Sequence, residues 1–301
     1  MLTNLIKSPV FDYKSNKTLI NALTEKYPFI EHGIIGKSLC RRDIDYLSIG
    51  NPDDAVLFVG GTHGLEWLTS LVLLLFLEKI SEAYSTNGEI AGIKIKPYLG
   101  KRGLVIIPML NPDGIEISLH GAKAACAYKN LVNDVSHGDT SSWQANARGV
   151  DLNHNFDAGW EALSKLEKSQ GIAGPAPTRY GGPYPLSEPE TQELISFFIN
   201  NNFRHVLAFH SQGEEIYWDF GENTPYGSDF IAKIMEASSG YKMAKPEGLA
   251  VGGGLKDMII EKFGKPAFTI EIGKGKNPLP IDDLFDIYNK IEEMLVFATV
   301  V

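Results

Sequence analysis

Four short runs of apolar residues are spread along the chain, and each has the length of a single buried strand. The runs are AVLFV at 55–59, LVIIP at 104–108, HVLAFH at 205–210 and AFTIEI at 267–272. They are continuous rather than alternating, which is typical of a sheet covered on both faces. The pattern therefore predicts four central strands with packed layers above and below them.

Longer segments with the apolar spacing of helices lie between and after these runs. They are LTSLVLLLFLEKISEAY at 68–84, SEPETQELISFFINN at 187–201 and IDDLFDIYNKIEEMLVF at 281–297. Strands that alternate with helices predict an α/β fold, with a doubly wound mixed sheet and helices on both faces. Because no repeat, linker or low-complexity tract interrupts the pattern, we expect a single domain over residues 1–301.

Two short motifs are interpreted as local structure. The NPDG sequence at 111–114 is predicted to form a turn, because proline, aspartate and glycine favour turn conformations. The SEPE sequence at 187–190 predicts a capping box that opens the following helix.

Composition and charge narrow the classes of partner. The 301 residues are 44% hydrophobic and carry a net charge of −9, which argues against binding to nucleic acid or to an anionic membrane. The beginning of the chain lacks the apolar core of a signal peptide, and the longest apolar run is too short to span a bilayer. We expect a cytoplasmic protein. The two cysteines, Cys40 and Cys126, are too few for a disulfide framework and are expected to be buried.

Residues that can bind metal or transfer protons follow three of the four predicted strands. His63 and Glu66 come after the first, His210 closes the third, and Glu271 lies near the end of the fourth. Ligand sites in such sheets gather at the carboxyl ends of the strands. Taken alone, His63 and Glu66 fit a helix start, where an acid is favoured by the helix dipole. Together with His210 they provide the two imidazoles and one carboxylate of a catalytic zinc site.

Glu271 has two interpretations. A carboxylate at the end of a buried strand could pair with a structural arginine, or it could act as the general base of a hydrolytic reaction.

Five separated motifs, in order, resemble those of the zinc carboxypeptidases of the funnelin type, over most of the chain. They are THGLEW at 62–67, LNPDG at 110–114, GVDLNHNF at 149–156, YGGPYPLSEPET at 180–191, and FHSQG at 209–213 with FTIEIG at 268–273. The resemblance implies a carboxypeptidase-like fold and one zinc ion per chain, bound by His63, Glu66 and His210. It implies that Glu271 is the catalytic base.

A finer resemblance is to the bacterial γ-D-glutamyl-L-diamino acid peptidases, which cut peptidoglycan stem peptides. It rests on WQANARGVDLN at 143–153, FDAGW at 156–160, HSQGEEIYW at 210–218 and the segment 252–280. This resemblance implies a zinc-dependent peptidase that hydrolyses an amide bond near a free carboxylate in a small cell-wall peptide.

The chain departs from the family pattern at the residues expected to bind substrate. Asn153 and His154 stand where the family has an Asn-Arg pair that holds the substrate carboxylate, and histidine lacks the fork of donors of a guanidinium. Gln144 stands where related enzymes carry a cation that polarises the scissile carbonyl. Arg148 and Arg179 are candidate substitutes. Leu255 either lies near the specificity pocket or belongs to the core.

Two other functions remain open from the sequence. One is an N-acyl amino acid deacylase of the same fold. The other is a catalytically idle protein that binds metal or peptide, suggested by Gln144 and His154, although such a protein has no need of a base at Glu271. The oligomeric state is also left open.

Overall fold

A mixed β-sheet forms the centre of the computed structural model, which describes residue 5 and residues 8–301. In chain order the strands are β1 (Glu31–Lys37), β2 (Asp43–Gly50), β3 (Ala55–Val59), β4 (Glu89–Ile90), β5 (Ile93–Lys94), β6 (Gly103–Ile107), β7 (Phe203–His210), β8 (Glu215–Tyr217), β9 (Lys242–Ala244) and β10 (Ala267–Glu271). Eight of them form one sheet in the order β1-β2-β6-β3-β7-β10-β8-β9, and β4 pairs with β5 alone. The four central strands, β6, β3, β7 and β10, are parallel to one another.

Helices cover both faces of the sheet. They are α1 (Tyr13–Lys26), α2 (Trp67–Thr86), α3 (Ile95–Leu99), α4 (Pro112–His120), α5 (Lys129–Ser136), α6 (Trp160–Ser169), α7 (Pro189–Ile199), α8 (Ser228–Ser239), α9 (Leu255–Phe263) and α10 (Leu284–Val300). Alternate side chains of β3 enter two different cores: Val56 and Phe58 pack with α2 and α10, whereas Leu57 packs with α7 and α9. The doubly wound α/β fold predicted from the sequence is confirmed.

The strands missing from the sequence prediction lie outside the four central strands: β1 and β2 on one side of them, β8 and β9 on the other, and the separate pair of β4 and β5. The four predicted runs are the four central strands, with β7 beginning two residues earlier, at Phe203. β1 is largely exposed, and β8 and β9 are only three residues each. Short or exposed strands carry little apolar periodicity, so the sequence offers no signal for them.

Three local predictions are wrong. The helix α7 begins at Pro189 with Glu188 as its N-cap and with no side-chain cap, because the Ser187 hydroxyl bonds instead to Glu188 and Asn155. The NPDG sequence begins the helix α4, since the Asn111 side chain accepts a hydrogen bond from the Gly114 N–H and caps it. Cys126 is exposed rather than buried, and Cys40 is half-buried.

The parallel arrangement positions the site. β3, β7 and β10 are neighbours that run in the same direction, so the residues that follow them meet at one edge of the sheet. In the part of the chain that the structure describes, none of the helices combines the length and the apolar character needed to cross a membrane.

Candidate metal centre and active site

The His63-x-x-Glu66 motif forms the turn between β3 and α2. Glu66 is the N-cap of α2, and its backbone N–H closes the turn by donating a hydrogen bond to the His63 carbonyl at 3.0 Å. Gly64 allows this turn to lie against neighbouring backbone, because a Cβ there would lie 2.5 Å from the carbonyl oxygens of Gly114 and Trp143. The turn therefore directs both side chains of the motif to the same side.

His210, the last residue of β7, completes a group of three side chains. Its Nδ1 lies 3.0 Å from Glu66 Oε2 and 3.2 Å from His63 Nδ1, and His63 Nδ1 lies 3.0 Å from Glu66 Oε1. Ligand atoms around a tetrahedral zinc ion lie about 3.4 Å apart, as bond lengths of about 2.1 Å require. The three side chains form a possible metal site, and their donor set and spacing fit zinc.

Asp151 holds His63 in position. Its Oδ1 lies 3.0 Å from His63 Nε2, and its other oxygen accepts from the Arg179 N–H at 2.8 Å. A carboxylate on the far nitrogen of a metal-binding histidine fixes the tautomer and the ring orientation. No role for Asp151 is predicted from the sequence, although the residue lies within the GVDLNHNF motif at 149–156.

The electrostatics of the site favour a positive charge between the three side chains. Burial lowers the pKa of His63, but the carboxylates of Glu66 and Asp151 outweigh it and raise that pKa well above its usual value. Burial raises the pKa of Glu66, but the two histidines outweigh it and hold that pKa low. A buried carboxylate kept ionised in this way suits a divalent cation.

Glu271 lies beside His210 in the sheet. The two residues are partners in the parallel pairing of β10 with β7, so their side chains emerge on the same face. Burial, and after it the negative charge of Glu66, raise the pKa of Glu271 well above its usual value. Glu271 is not one of the three residues whose ligand atoms converge, as expected of a base that is not a ligand.

A cavity of about 180 Å³ opens on these residues. Its lining includes His63, His210 and Glu271, together with Asn153, His154, Lys256 and Asp257. The Lys256 ammonium donates to the Asp219 carbonyl at 2.6 Å and to Asp257, and it lies 5.5 Å from the centre of the Phe220 ring. One of its three N–H groups has no hydrogen-bond acceptor among the described residues. Leu255 belongs to the core, and its neighbour Lys256, for which the sequence predicted no role, lines the cavity instead.

Asn153 and His154 lie where a substrate would contact them. Asn153 Oδ1 accepts from the Leu255 N–H at 3.2 Å, so its amide NH₂ remains available as a donor. His154 Nδ1 lies 2.8 Å from Glu167 Oε1, so Nε2 is the nitrogen left for another partner. A second cavity, beside the first, is lined by His154 and Arg179.

The structure does not bring Gln144 and Arg148 to the cavity. The Gln144 side chain accepts from the Thr178 hydroxyl at 3.1 Å, and its backbone carbonyl accepts from the Gly64 N–H at 2.9 Å. Arg148 donates twice to the buried Glu188, at 3.0 and 3.1 Å. Arg179, unlike Arg148, lines the second cavity together with His154.

Known proteins with similar sequences and folds share this arrangement of elements. The model of the zinc carboxypeptidase family matches residues 17–289. The γ-D-glutamyl-L-diamino acid endopeptidase 1 of Lysinibacillus sphaericus is 34% identical over 93% of this chain and 70% of its own length. Carboxypeptidase A of Helicoverpa armigera has a TM-score of 0.70 at 18% identity, covering 95% of this chain and 72% of that one. The murein-tripeptide amidase MpaA of Escherichia coli O157 has a TM-score of 0.55 at 18% identity, covering 89% of each chain.

The family match and the site agree with each other. The match spans most of the chain, and it includes the turn after β3 and the ends of β7 and β10. Relatives in this family are peptidases and depend on zinc, and the described residues offer a possible site for that ion. The chain belongs to the zinc carboxypeptidase family and is a metallopeptidase of that type.

Proposed function

We propose that this protein hydrolyses an amide bond close to a free carboxylate in a small peptide, and that its substrate is a peptidoglycan stem peptide cut at the γ-D-glutamyl–diamino acid bond. The proposal draws on the relative from Lysinibacillus sphaericus, a γ-D-glutamyl-L-diamino acid endopeptidase that is 34% identical over 93% of this chain. A cytoplasmic location stays a prediction from the sequence.

One observation carries the proposal. Two of the three prospective metal ligands and a separate carboxylate, Glu271, line one cavity, whose lining also includes polar and charged side chains. A protein that only binds metal or peptide has no use for a buried carboxyl group beside the metal ligands. The combination supports catalysis over idle binding.

Each residue of the centre has a proposed role. His63, Glu66 and His210 would hold zinc, which when bound lowers the pKa of water and polarises a carbonyl group. Glu271 takes a proton from the attacking water and delivers it to the leaving amine. Its raised pKa makes the ionised carboxyl a stronger base. Asp151 keeps His63 oriented.

Two charged residues of the cavity lining, Lys256 and Asp257, favour a charged substrate. The buried ammonium of Lys256 and the carboxylate of Asp257 are adjacent, so the lining offers both a cation and an anion. A diamino dicarboxylic acid carries both amino and carboxylate groups and complements such a pair. An apolar side chain would cover this charged pair without offering it any further hydrogen bond, at a cost in affinity.

We assign the substrate carboxylate to Asn153, His154 and Arg179. The first two line the metal cavity and each has a hydrogen-bonding group available there. In the described part of the chain, the exposed guanidinium of Arg179 has no hydrogen bond or ion pair, and it lines the neighbouring cavity with His154. Arg148 is a weaker candidate because Glu188 already binds it.

The test is incubation of the zinc-loaded protein with L-Ala-γ-D-Glu-meso-diaminopimelate, followed by mass spectrometry. We expect release of diaminopimelate, loss of activity with a chelator, and recovery on adding zinc. N-acetyl amino acids are assayed in parallel. Cleavage of these alone would indicate the deacylase, and absence of cleavage of any substrate by protein with zinc bound would contradict the proposed reaction.

A further inference from the structure

The two cysteines of the chain, 86 positions apart in sequence, lie close together in space. Cys40 lies in the turn between β1 and β2, and Cys126 lies in a short 3-10 segment, Ala122–Tyr128, that follows α4. The thiols of both residues contact the same carbonyl oxygen, that of Ala124, at 3.8 Å each. The two sulfur atoms are therefore no farther apart than twice that distance.

The turn that carries Cys40 is fixed by Asp113. The Cys40 N–H donates to Asp113 Oδ2 at 2.8 Å, and the Ser38 hydroxyl donates to Oδ1 at 2.8 Å. Arg42 also binds Asp113, at 2.5 Å, and donates to the Ala124 carbonyl at 3.0 Å. The two segments that carry the cysteines are thus held against each other independently of the thiols.

The two thiols have different surroundings. Cys126 is exposed, and its backbone has φ 54° and ψ −119°, a conformation that residues other than glycine rarely adopt. Cys40 is half-buried. Burial, the negative charge of Asp113 and a hydrogen bond with Cys126 raise the pKa of the Cys40 thiol well above its usual range. An external reagent would therefore meet Cys126 first.

We propose that Cys40 and Cys126 form a redox site in which a low-molecular-weight disulfide converts the two thiols into one intramolecular disulfide. The Cys126 thiolate attacks one sulfur of the reagent, which forms a mixed disulfide and releases the first reagent thiol. Cys40 then loses its proton and attacks the Cys126 sulfur, and the second reagent thiol leaves with a proton. The two cysteines lose two electrons in total, and the reagent disulfide gains them.

The disulfide would close a loop that contains the metal-binding turn. The chain between the two cysteines includes β2, β3, His63, Glu66 and α4. Closing a loop of this length reduces the conformational freedom of the unfolded chain. Oxidation would therefore raise the melting temperature, and neither cysteine is one of the prospective metal ligands.

The experiment treats the folded, zinc-loaded protein with glutathione disulfide and then blocks remaining thiols with N-ethylmaleimide. We expect intact mass to show loss of two hydrogen atoms and no alkylation, and peptide mapping to show Cys40 linked to Cys126. The melting temperature should rise by roughly 5 °C, and a reductant should reverse the change.

Two single variants separate the roles of the thiols. Cys40→Ser should stop at a stable mixed disulfide on Cys126, whereas Cys126→Ser should leave Cys40 unmodified in the folded state. Neither variant should gain melting temperature on oxidation. A wild-type protein that retains glutathione on Cys126 with Cys40 still alkylated, or that forms disulfides between chains, would overturn the proposal.

Discussion

At the scale of single residues, Glu271 lines the cavity but is not one of the three residues whose ligand atoms converge. Glu271→Gln keeps the shape of the side chain but cannot accept a proton, so kcat should fall by roughly 10²–10⁴-fold. Zinc content, measured by elemental analysis, should stay at one ion per chain because Glu271 is outside the group of converging ligands. Near-normal turnover in a zinc-containing variant would rule out this residue as the base.

Replacing a metal ligand should remove zinc together with activity. His63→Ala and His210→Ala should each lose zinc and activity, since each imidazole offers an Nδ1 to the same point. Asp151→Asn should keep the site but weaken zinc binding by roughly 10–100-fold, because the amide cannot replace the carboxylate that orients His63. A competition titration with a zinc indicator measures all three. Wild-type zinc affinity in both histidine variants would mean that the ion binds elsewhere.

Arg179 gives a prediction about substrate. Replacing it with glutamine should raise KM by roughly threefold to thirtyfold for a substrate with a free terminal carboxylate, and leave KM unchanged for the amidated substrate. The matched control is Arg41→Gln, because Arg41 is also exposed, has φ 65° against 66° for Arg179, and lies in the turn between β1 and β2. Equal effects of Arg179→Gln on the free and amidated substrates would leave Asn153 and His154 as the anchor.

At the scale of elements, the turn between β3 and α2 depends on close backbone contact. The Gly64 N–H donates to the Gln144 carbonyl at 2.9 Å, and its own carbonyl accepts from the Ser118 hydroxyl at 2.7 Å. The turn is thus enclosed between the beginning of α4 and the segment around Trp143. The positions of the metal ligands depend on the packing of this turn, because His63 and Glu66 lie on either side of Gly64.

Gly64→Ala should therefore impair both stability and metal binding. The added Cβ would lie 2.5 Å from two backbone carbonyl oxygens, which cannot move as a side chain can. We expect the free energy of unfolding to fall by roughly 1–3 kcal/mol, with weaker zinc binding. Gly174→Ala is the control, since a Cβ at Gly174 meets no atom within 4 Å. Denaturant unfolding and zinc titration measure both effects, and an unchanged Gly64→Ala protein would show that the turn relaxes freely.

At the scale of the whole molecule, a buried acid links the β1–β2 turn, α4 and α7. Glu190 lies in α7, and it accepts from the Leu39 N–H at 3.3 Å. Burial and the negative charge of Asp113 raise the pKa of Glu190 to about 8 from its usual 4.5. The folded protein therefore holds a proton at Glu190 that the unfolded chain releases at lower pH.

This proton makes global stability depend on pH. Between pH 4.5 and about 8 the folded state binds more protons than the unfolded state, so the free energy of unfolding falls as pH rises. The loss is at most about 1.4 kcal/mol for each pH unit. Glu190→Gln should remove this contribution, and variant and wild type should diverge in favour of the variant as pH rises towards 8. Denaturant unfolding of metal-free protein across the range measures the difference, and parallel curves would contradict the assignment.

The amino-acid sequence by itself determined the central strands and the prospective metal ligands. β3, β6, β7 and β10 are continuous apolar runs, and such runs are decided by local hydrophobicity. His63, Glu66, His210 and Glu271 follow three of those strands, so knowing the strands and that they are parallel was enough to place them together. The division into a single domain stays a prediction.

Only the tertiary structure decided which distant residues meet. Asp151 contacts His63 although the two residues are 88 positions apart in the chain. Arg148 binds Glu188 and does not line the metal cavity. Lys256, and not Leu255, lines that cavity. The proximity of Cys40 to Cys126 is another contact between residues that are distant in the chain. No periodicity or spacing encodes such contacts, because they follow from how helices and loops pack across the sheet. The chemistry that the ligands permit was thus visible in the chain, whereas their support and the surroundings of the substrate arise from packing.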